Sequence, residues 1–192
     1  MKRAFLILLS AVLLSFTMNG CTPTGYSNLL LFTDRLNDIS EEKISLESYV
    51  LYEGSYSLIV EKNAAKVLIT ADENENGDLV KIGVTVSKLD ESGKEKKISA
   101  SEGELYRKKV SEVIYAFTLF NEDKSRELTE KILPLKDEDL LRTGELTLET
   151  ENYRLVYYSN KLCCRFTVTD TYLEKIEVTE KPVSRALYGA NL

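Results

Sequence analysis

Apolar residues fall at every second position over two stretches of the chain, and this period of two constrains the fold more than any other feature. Val80, Ile82, Val84 and Val86 alternate with Lys81, Gly83, Thr85 and Ser87, the mark of a strand with one buried face and one wet face. The second stretch lies in the last third. Two-residue turns at Glu151-Asn152 and Ser159-Asn160 set Leu148 opposite Leu155 and Leu146 opposite Tyr157. They then set Tyr157 opposite Leu162, Leu155 opposite Cys164 and Tyr153 opposite Phe166. Every pair is apolar on one face, and a slip of one residue would turn the whole set toward water. The opposite face then collects Arg154, Val156, Tyr158, Lys161, Cys163 and Arg165.

Around these stretches the pattern is mixed. Tyr49–Tyr52 and Tyr56–Val60 read as strand, with Gly54 at a bulge or bend. Lys62–Ala65 reads as a turn, Val67–Thr70 as strand, Asp72–Asp78 as a polar tip, Asp90–Lys94 as a turn and Lys96–Ser99 as a short strand. Ser101 followed by Glu104 has the capping-box form. Behind it Tyr106, Val110, Val113, Ile114, Phe117 and Phe120 recur at three and four, which predicts an amphipathic helix over about 101–120 that stops at Asn121. A shorter helix over about 125–133 ends at Pro134. Residues 28–46 fit either a helix or a strand, since Leu29, Leu30, Phe32 and Leu36 suit one and Leu29–Thr33 the other. Strands, then a helix pair, then strands predict an α+β fold: an antiparallel meander sheet with both helices on one face.

Composition sets the function classes. The 192 residues hold no His, which removes Ser-His-Asp and Cys-His nucleophilic sites, His-ligated metals and imidazole acid–base chemistry. The formal net charge is −6, and an acidic chain is poorly suited to nucleic acid, whose phosphates need a basic face. No Gly-rich phosphate loop, Walker motif, G-x-S-x-G or metal cluster occurs, so no cofactor is expected.

The N-terminus carries an address. Met1-Lys2-Arg3 is basic, Ala4–Phe16 is apolar but for two serines, and Gly20-Cys21 follows shortly after. The apolar run falls short of the roughly 20 residues of a membrane span; a basic start, a short apolar stretch and a small residue before the cut describe a cleaved secretory signal. The segment resembles a bacterial lipoprotein signal, in which cleavage precedes a Cys whose thiol carries diacylglycerol. That resemblance implies lipidation of Cys21, a signal peptide over 1–20 and a membrane-anchored, extracytoplasmic domain. Loss of Lys2 and Arg3 with residues 1–20 takes the net charge from −6 to −8. An acidic body stands off anionic headgroups, while the acyl chains supply the hold. Residues 21–27 (CTPTGYS) form a short polar tether, 28–181 a single globular domain and 182–192 a loose tail.

Three features invite chemistry. Asp72-x-Asn74-x-Asn76-Gly77, with Asp78, copies the first half of an EF-hand loop, yet the twelfth position is Gly83 and the flanks are strands; it reads as a solvated turn and only a weak metal candidate. Cys163-Cys164 sits in a strand, so alternation sends Cys164 inward and Cys163 outward. Acid clusters at Glu122-Asp123, Asp137–Asp139 and Glu149–Glu151 fall in loops, where a solvated surface is the ordinary reading. Eleven tyrosines stand against six phenylalanines and no tryptophan, a usage suited to amphipathic strand edges and binding surfaces. The expected function is a non-catalytic binding or envelope-interaction module, with Arg154, Tyr158, Lys161 and Arg165 as its partner-binding face. Its partners would be an envelope protein, a glycan or a small apolar ligand. The alternative is a carboxylate-dependent hydrolase acting on an envelope or extracellular glycan, which would show a pocket with convergent acids.

Overall fold

The computed structural model describes residues 28–52, 54–90, 92–134, 140 and 142–180. The expected signal peptide, Cys21, the tether and the 182–192 tail lie outside the described residues. The first described segment is a helix, α1 (Leu29–Ile39). Asn28 decides it by accepting the Leu31 N–H at 2.9 Å, which satisfies an otherwise orphaned first-turn donor. Phe32, Thr33 and Leu36 form its buried stripe.

A single 3₁₀ turn (Leu46–Ser48) leads to β1 (Val50–Tyr52), β2 (Ser55–Lys62), β3 (Ala65–Glu73) and β4 (Leu79–Ser87). The β2–β3 turn places Asn63 and Ala64 at φ of 50° and 66°, a left-handed backbone that Asn tolerates and Ala does not favour. Next come α2 (Ala100–Phe117) and α3 (Glu122–Ile132), then β5 (Gly144–Glu149), β6 (Tyr153–Ser159), β7 (Cys163–Asp170) and α4 (Thr171–Glu180). The seven strands form one antiparallel sheet in the order β1-β2-β3-β4-β7-β6-β5. The chain is therefore mixed α+β, with two meanders joined through the helices.

Four expectations shift. The capping box of α2 is Ser99 with Glu102, not Ser101 with Glu104. Ser99 is the last extended residue, and starting there puts Leu105, Tyr106, Val110 and Val113 on the buried stripe. Asn121 does not stop α2; α2 closes at Thr118, and Asn121 accepts the Lys124 N–H to open α3. Lys96–Ser99 is no strand: only a single bridge, Leu89 to Glu95, forms there.

The fourth concerns the last hairpin. Leu146 faces Tyr157 and Leu148 faces Leu155 as read, but Tyr157 faces Phe166, Leu155 faces Val168 and Tyr153 faces Asp170. The turn is centred on Lys161-Leu162 because Asn160 folds its side chain over it, its Oδ1 accepting from the N–H groups of Leu162 (2.7 Å) and Cys163 (2.9 Å). The displacement is an even number of residues, so every side chain keeps its face. Tyr153, Leu155, Tyr157, Cys164 and Phe166 are buried, while Leu162 moves to the turn and is 56% exposed.

The core lies between one face of the sheet and α1, α2 and α3. Phe32, Leu36, Val67, Ile69, Ile82, Val84, Tyr106, Val110, Ile114, Leu155, Phe166 and Val168 are all within it. Among the described residues no helix is long and apolar enough to cross a membrane.

Candidate functional site

Because α1–α3 all lie against one face, strand alternation leaves the other face free of them, and α4 meets it at Arg154 through Glu174. The residues of this open face form rows across the strands. One row runs Ser57, Thr70, Gly83, Thr167, Val156 and Thr147. These side chains are short, and Gly83 has none: a Cβ there would come within 2.6 Å of Thr70 Oγ1. The row is thus a strip of small, mostly hydroxyl-bearing side chains.

The rows on either side carry the charged and large side chains. One runs Ser55, Asp72, Lys81, Thr169, Arg154 and Glu149. Here Lys81 pairs with Asp72 at 2.8 Å, and Arg154 pairs with Glu174 of α4 at 2.5 Å. Burial pushes the Asp72 carboxyl up, but hydrogen bonds from Lys81 and Ser55 outweigh it and the net shift is downward. The other row runs Ile59, Leu68, Thr85, Arg165, Tyr158 and Glu145. Arg165 and Tyr158 are direct cross-strand neighbours, both exposed. Among the described residues Arg165 makes no ion pair. At the β1–β2 end of the same face Val50, Tyr52 and Ile59 are 65%, 68% and 63% exposed.

Of the residues read from the sequence as a partner-binding face, Arg154, Tyr158 and Arg165 do share the open face. Lys161 does not: the shifted turn carries it to the hairpin tip. Cys163 is half-buried and Cys164 fully buried, both as free thiols. The Cys164 thiol points at the Leu140 carbonyl, which also accepts from Tyr157 and Ser159. The EF-hand-like segment does not gather its oxygens. Asp72 lies in β3 and faces Lys81, while Asn74 Oδ1 accepts from the N–H groups of Asn76 (3.0 Å) and Asp78 (2.9 Å). Asn76 is exposed as read, whereas Asp72, Asn74 and Asp78 are half-buried. Among the described residues no three metal-binding side chains converge.

A second concavity, about 550 Å³, lies on the far side of the helix layer between α2 and α3. Glu112, Glu122 and Glu130 lie along it, with Tyr115, Arg107 and Arg126. Glu112 is held by the fully buried Lys109 at 2.8 Å. Glu122 and Glu130 stand on one helix eight residues apart, about 12 Å along its axis, whereas paired glycosidase carboxylates stand roughly 5–9.5 Å apart.

Sequence reading missed Lys109. Its ammonium donates to Glu112, Glu42 and Ser40 Oγ at 2.8, 2.9 and 2.9 Å. Glu41, Lys62 and Lys108 extend this into a network joining the end of α1, the end of β2 and α2. The signal was present, since Lys109 falls on the stripe Leu105, Tyr106, Val110, Val113. Hydrogen bonds from Lys108 and Lys62 pull the Glu41 carboxyl from an ordinary 4.5 to about 2.

Compared with known proteins, the chain matches no family model, no curated protein and no solved structure.

Proposed function

We propose that the chain is an extracytoplasmic, lipid-anchored binding module that holds another envelope protein against its open sheet face without catalysing a reaction. One observation carries this reading: the open face joins an exposed apolar end, Val50, Tyr52 and Ile59, to an aromatic–cationic end, Tyr158 and Arg165, across a strip of small side chains. Large exposed apolar side chains grouped on one face mark interaction surfaces, and Tyr and Arg are the residue types that most often carry interface energy. The lipid anchor at Cys21 rests on Gly20-Cys21 and the apolar run before it.

The reading is tested in cells by placing a photo-crosslinking residue at Arg165 or Ile59 on the open face and at Arg126 on the helix layer. Adducts of one size from both open-face positions, lost with Tyr52→Asp, support it. Adducts from Arg126 alone move the interface to the helix groove. Mass spectrometry of the membrane-extracted protein tests the anchor separately: a start at Cys21 plus acyl mass is expected, and a mature start elsewhere refutes it.

A further inference from the structure

The displaced Lys161 has new company. At one end of the sheet the β4–α2 loop, the β6–β7 turn and the residue ahead of β5 come together. Lys88 ties them: its N–H donates to the Leu162 carbonyl and its carbonyl accepts from the Lys96 N–H, each at 2.7 Å. Its side chain is buried, with the ammonium donating to Ser159 Oγ at 2.8 Å and the Asn160 carbonyl at 2.5 Å. Beside it is a pocket of about 270 Å³ lined by Lys88, Glu95, Lys96, Lys97, Thr143 and Lys161. Lys96 pairs with Glu102 at 2.5 Å. Lys97 and Lys161 are exposed and make no ion pair among the described residues.

Among the described residues the ammonium groups of Lys96, Lys97 and Lys161 meet the carboxylates of Glu95 and Glu102 here, beside the buried Lys88, on a chain whose acids outnumber its bases, 31 to 25. A local excess of one sign in a concave place focuses the field there and raises the local concentration of counter-ions. The Lys97 and Lys161 ammonium groups each bring three donors and no acceptor, and Thr143 adds a hydroxyl. Lysines act as compact point charges, the form in which they bind phosphate. We propose that this pocket binds a phosphate-type oxyanion group carried on a water-soluble ligand, with Lys97 and Lys161 as the closing contacts and Lys88 holding the loops that present them.

The source of the anion follows from where the pocket lies. Arg35 of α1 donates to the Tyr115 carbonyl, whereas Ser40, just past α1, accepts from Lys109. The helix α1 therefore runs antiparallel along α2, with its N-terminus toward Phe117. The pocket lies beyond the other end, past Ala100, and 18 residues of helix separate the two ends by about 27 Å. A domain tethered through the residues before Asn28 presents this pocket away from its own membrane. The choice of a soluble ligand over a lipid headgroup rests on the anchoring proposed above; the anion chemistry does not.

The test is titration of the full-length protein, solubilised in neutral detergent, with inorganic phosphate at constant ionic strength. It is followed by calorimetry and by the melting temperature, which rises with any ligand that binds only the folded state. Saturable binding is expected, weakened at least about 10-fold by Lys97→Glu with Lys161→Glu and unchanged by Arg165→Glu on the open face. Both lysines are exposed, so the double variant should melt with the parent. An absence of saturable binding, equal binding by the double variant, or an equal response to chloride overturns the site. Vesicles containing phosphatidylglycerol form the second arm. Binding to them that depends on Lys97 and Lys161 overturns the soluble source, and failure of the crosslinking experiment leaves this result standing.

Discussion

Replacing Lys109 with Met should be among the most damaging single changes the domain can suffer. The Lys109 side chain is 0% exposed and that of its partner Glu112 is 6% exposed. Its ammonium satisfies three acceptors at 2.8–2.9 Å. Met matches the stem in length and keeps the packing but removes the charge, leaving Glu112 buried without its partner. Breaking a buried pair from one side costs about 3–5 kcal/mol. The lower end applies here, because Lys108 stands 3.9 Å from Glu112 Oε1 and Glu42, 34% exposed, can hydrate. For a domain of this size about 3 kcal/mol corresponds to a fall in melting temperature of roughly 6–12 °C. Removing both charges, with Lys109→Met and Glu112→Leu together, should recover most of the loss, since buried pairs often give way to apolar residues at little net cost. Urea unfolding followed by circular dichroism, with the m value held constant, reads both variants. A Lys109→Met protein within about 1 kcal/mol of the parent, or a double variant as unstable as the single, would show that the pair is not a buried, mutually dependent unit.

Four further outcomes are expected. Ala64→Gly should stabilise the domain by about 1 kcal/mol, because Ala64 is exposed and sits at φ 66°; a loss of stability in the same urea assay would refute the strain. Ser99→Ala should cost about 1 kcal/mol through loss of the capping box, while Ser101→Ala should cost almost nothing. Thiol labelling of the native protein should modify Cys163 in preference to Cys164, which is fully buried, and equal rates would contradict the assigned faces. The network carboxylates also predict acid sensitivity. Hydrogen bonds from Lys108 and Lys62 depress Glu41 to about 2, and one from Lys109 lowers Glu42. A carboxyl with a depressed folded pKa binds fewer protons folded than unfolded, so its contribution is complete above about 4.5 and is lost as pH falls toward 2. Unfolding curves across that window should flatten in Glu41→Gln with Glu42→Gln, and an unchanged slope would refute the linkage.

How much of this was legible in the chain depends on the range of the interaction. Alternation is local, so the faces of β4, β6 and β7 could be read directly, and they survive even where the register was misread. The misreading arose because apolar matching cannot distinguish registers an even number of residues apart; Leu162 looked as good opposite Tyr157 as Phe166 does. The arbiter was a side chain, the Asn160 amide folded over the turn. The same limit applies to α2, where Ser99 with Glu102 and Ser101 with Glu104 both satisfy the capping spacing. Tertiary burial of Leu105 and Tyr106 chooses between them. Charges were the least legible. Lys109, Glu42 and Ser40 are 67 and 69 residues apart in the chain, and only a Lys on an apolar stripe hinted that something must meet it. The lysines at the end of the sheet follow the same logic: Lys88 and Lys96 come from the β4–α2 loop and Lys161 from the β6–β7 turn, and Lys161 joins the other two because Asn160 sets that turn. The sequence places Lys161 on a strand face beside Arg165, whereas two residues of turn displacement place it in a basic pocket. A small error in register was thus enough to assign one cation to the wrong surface.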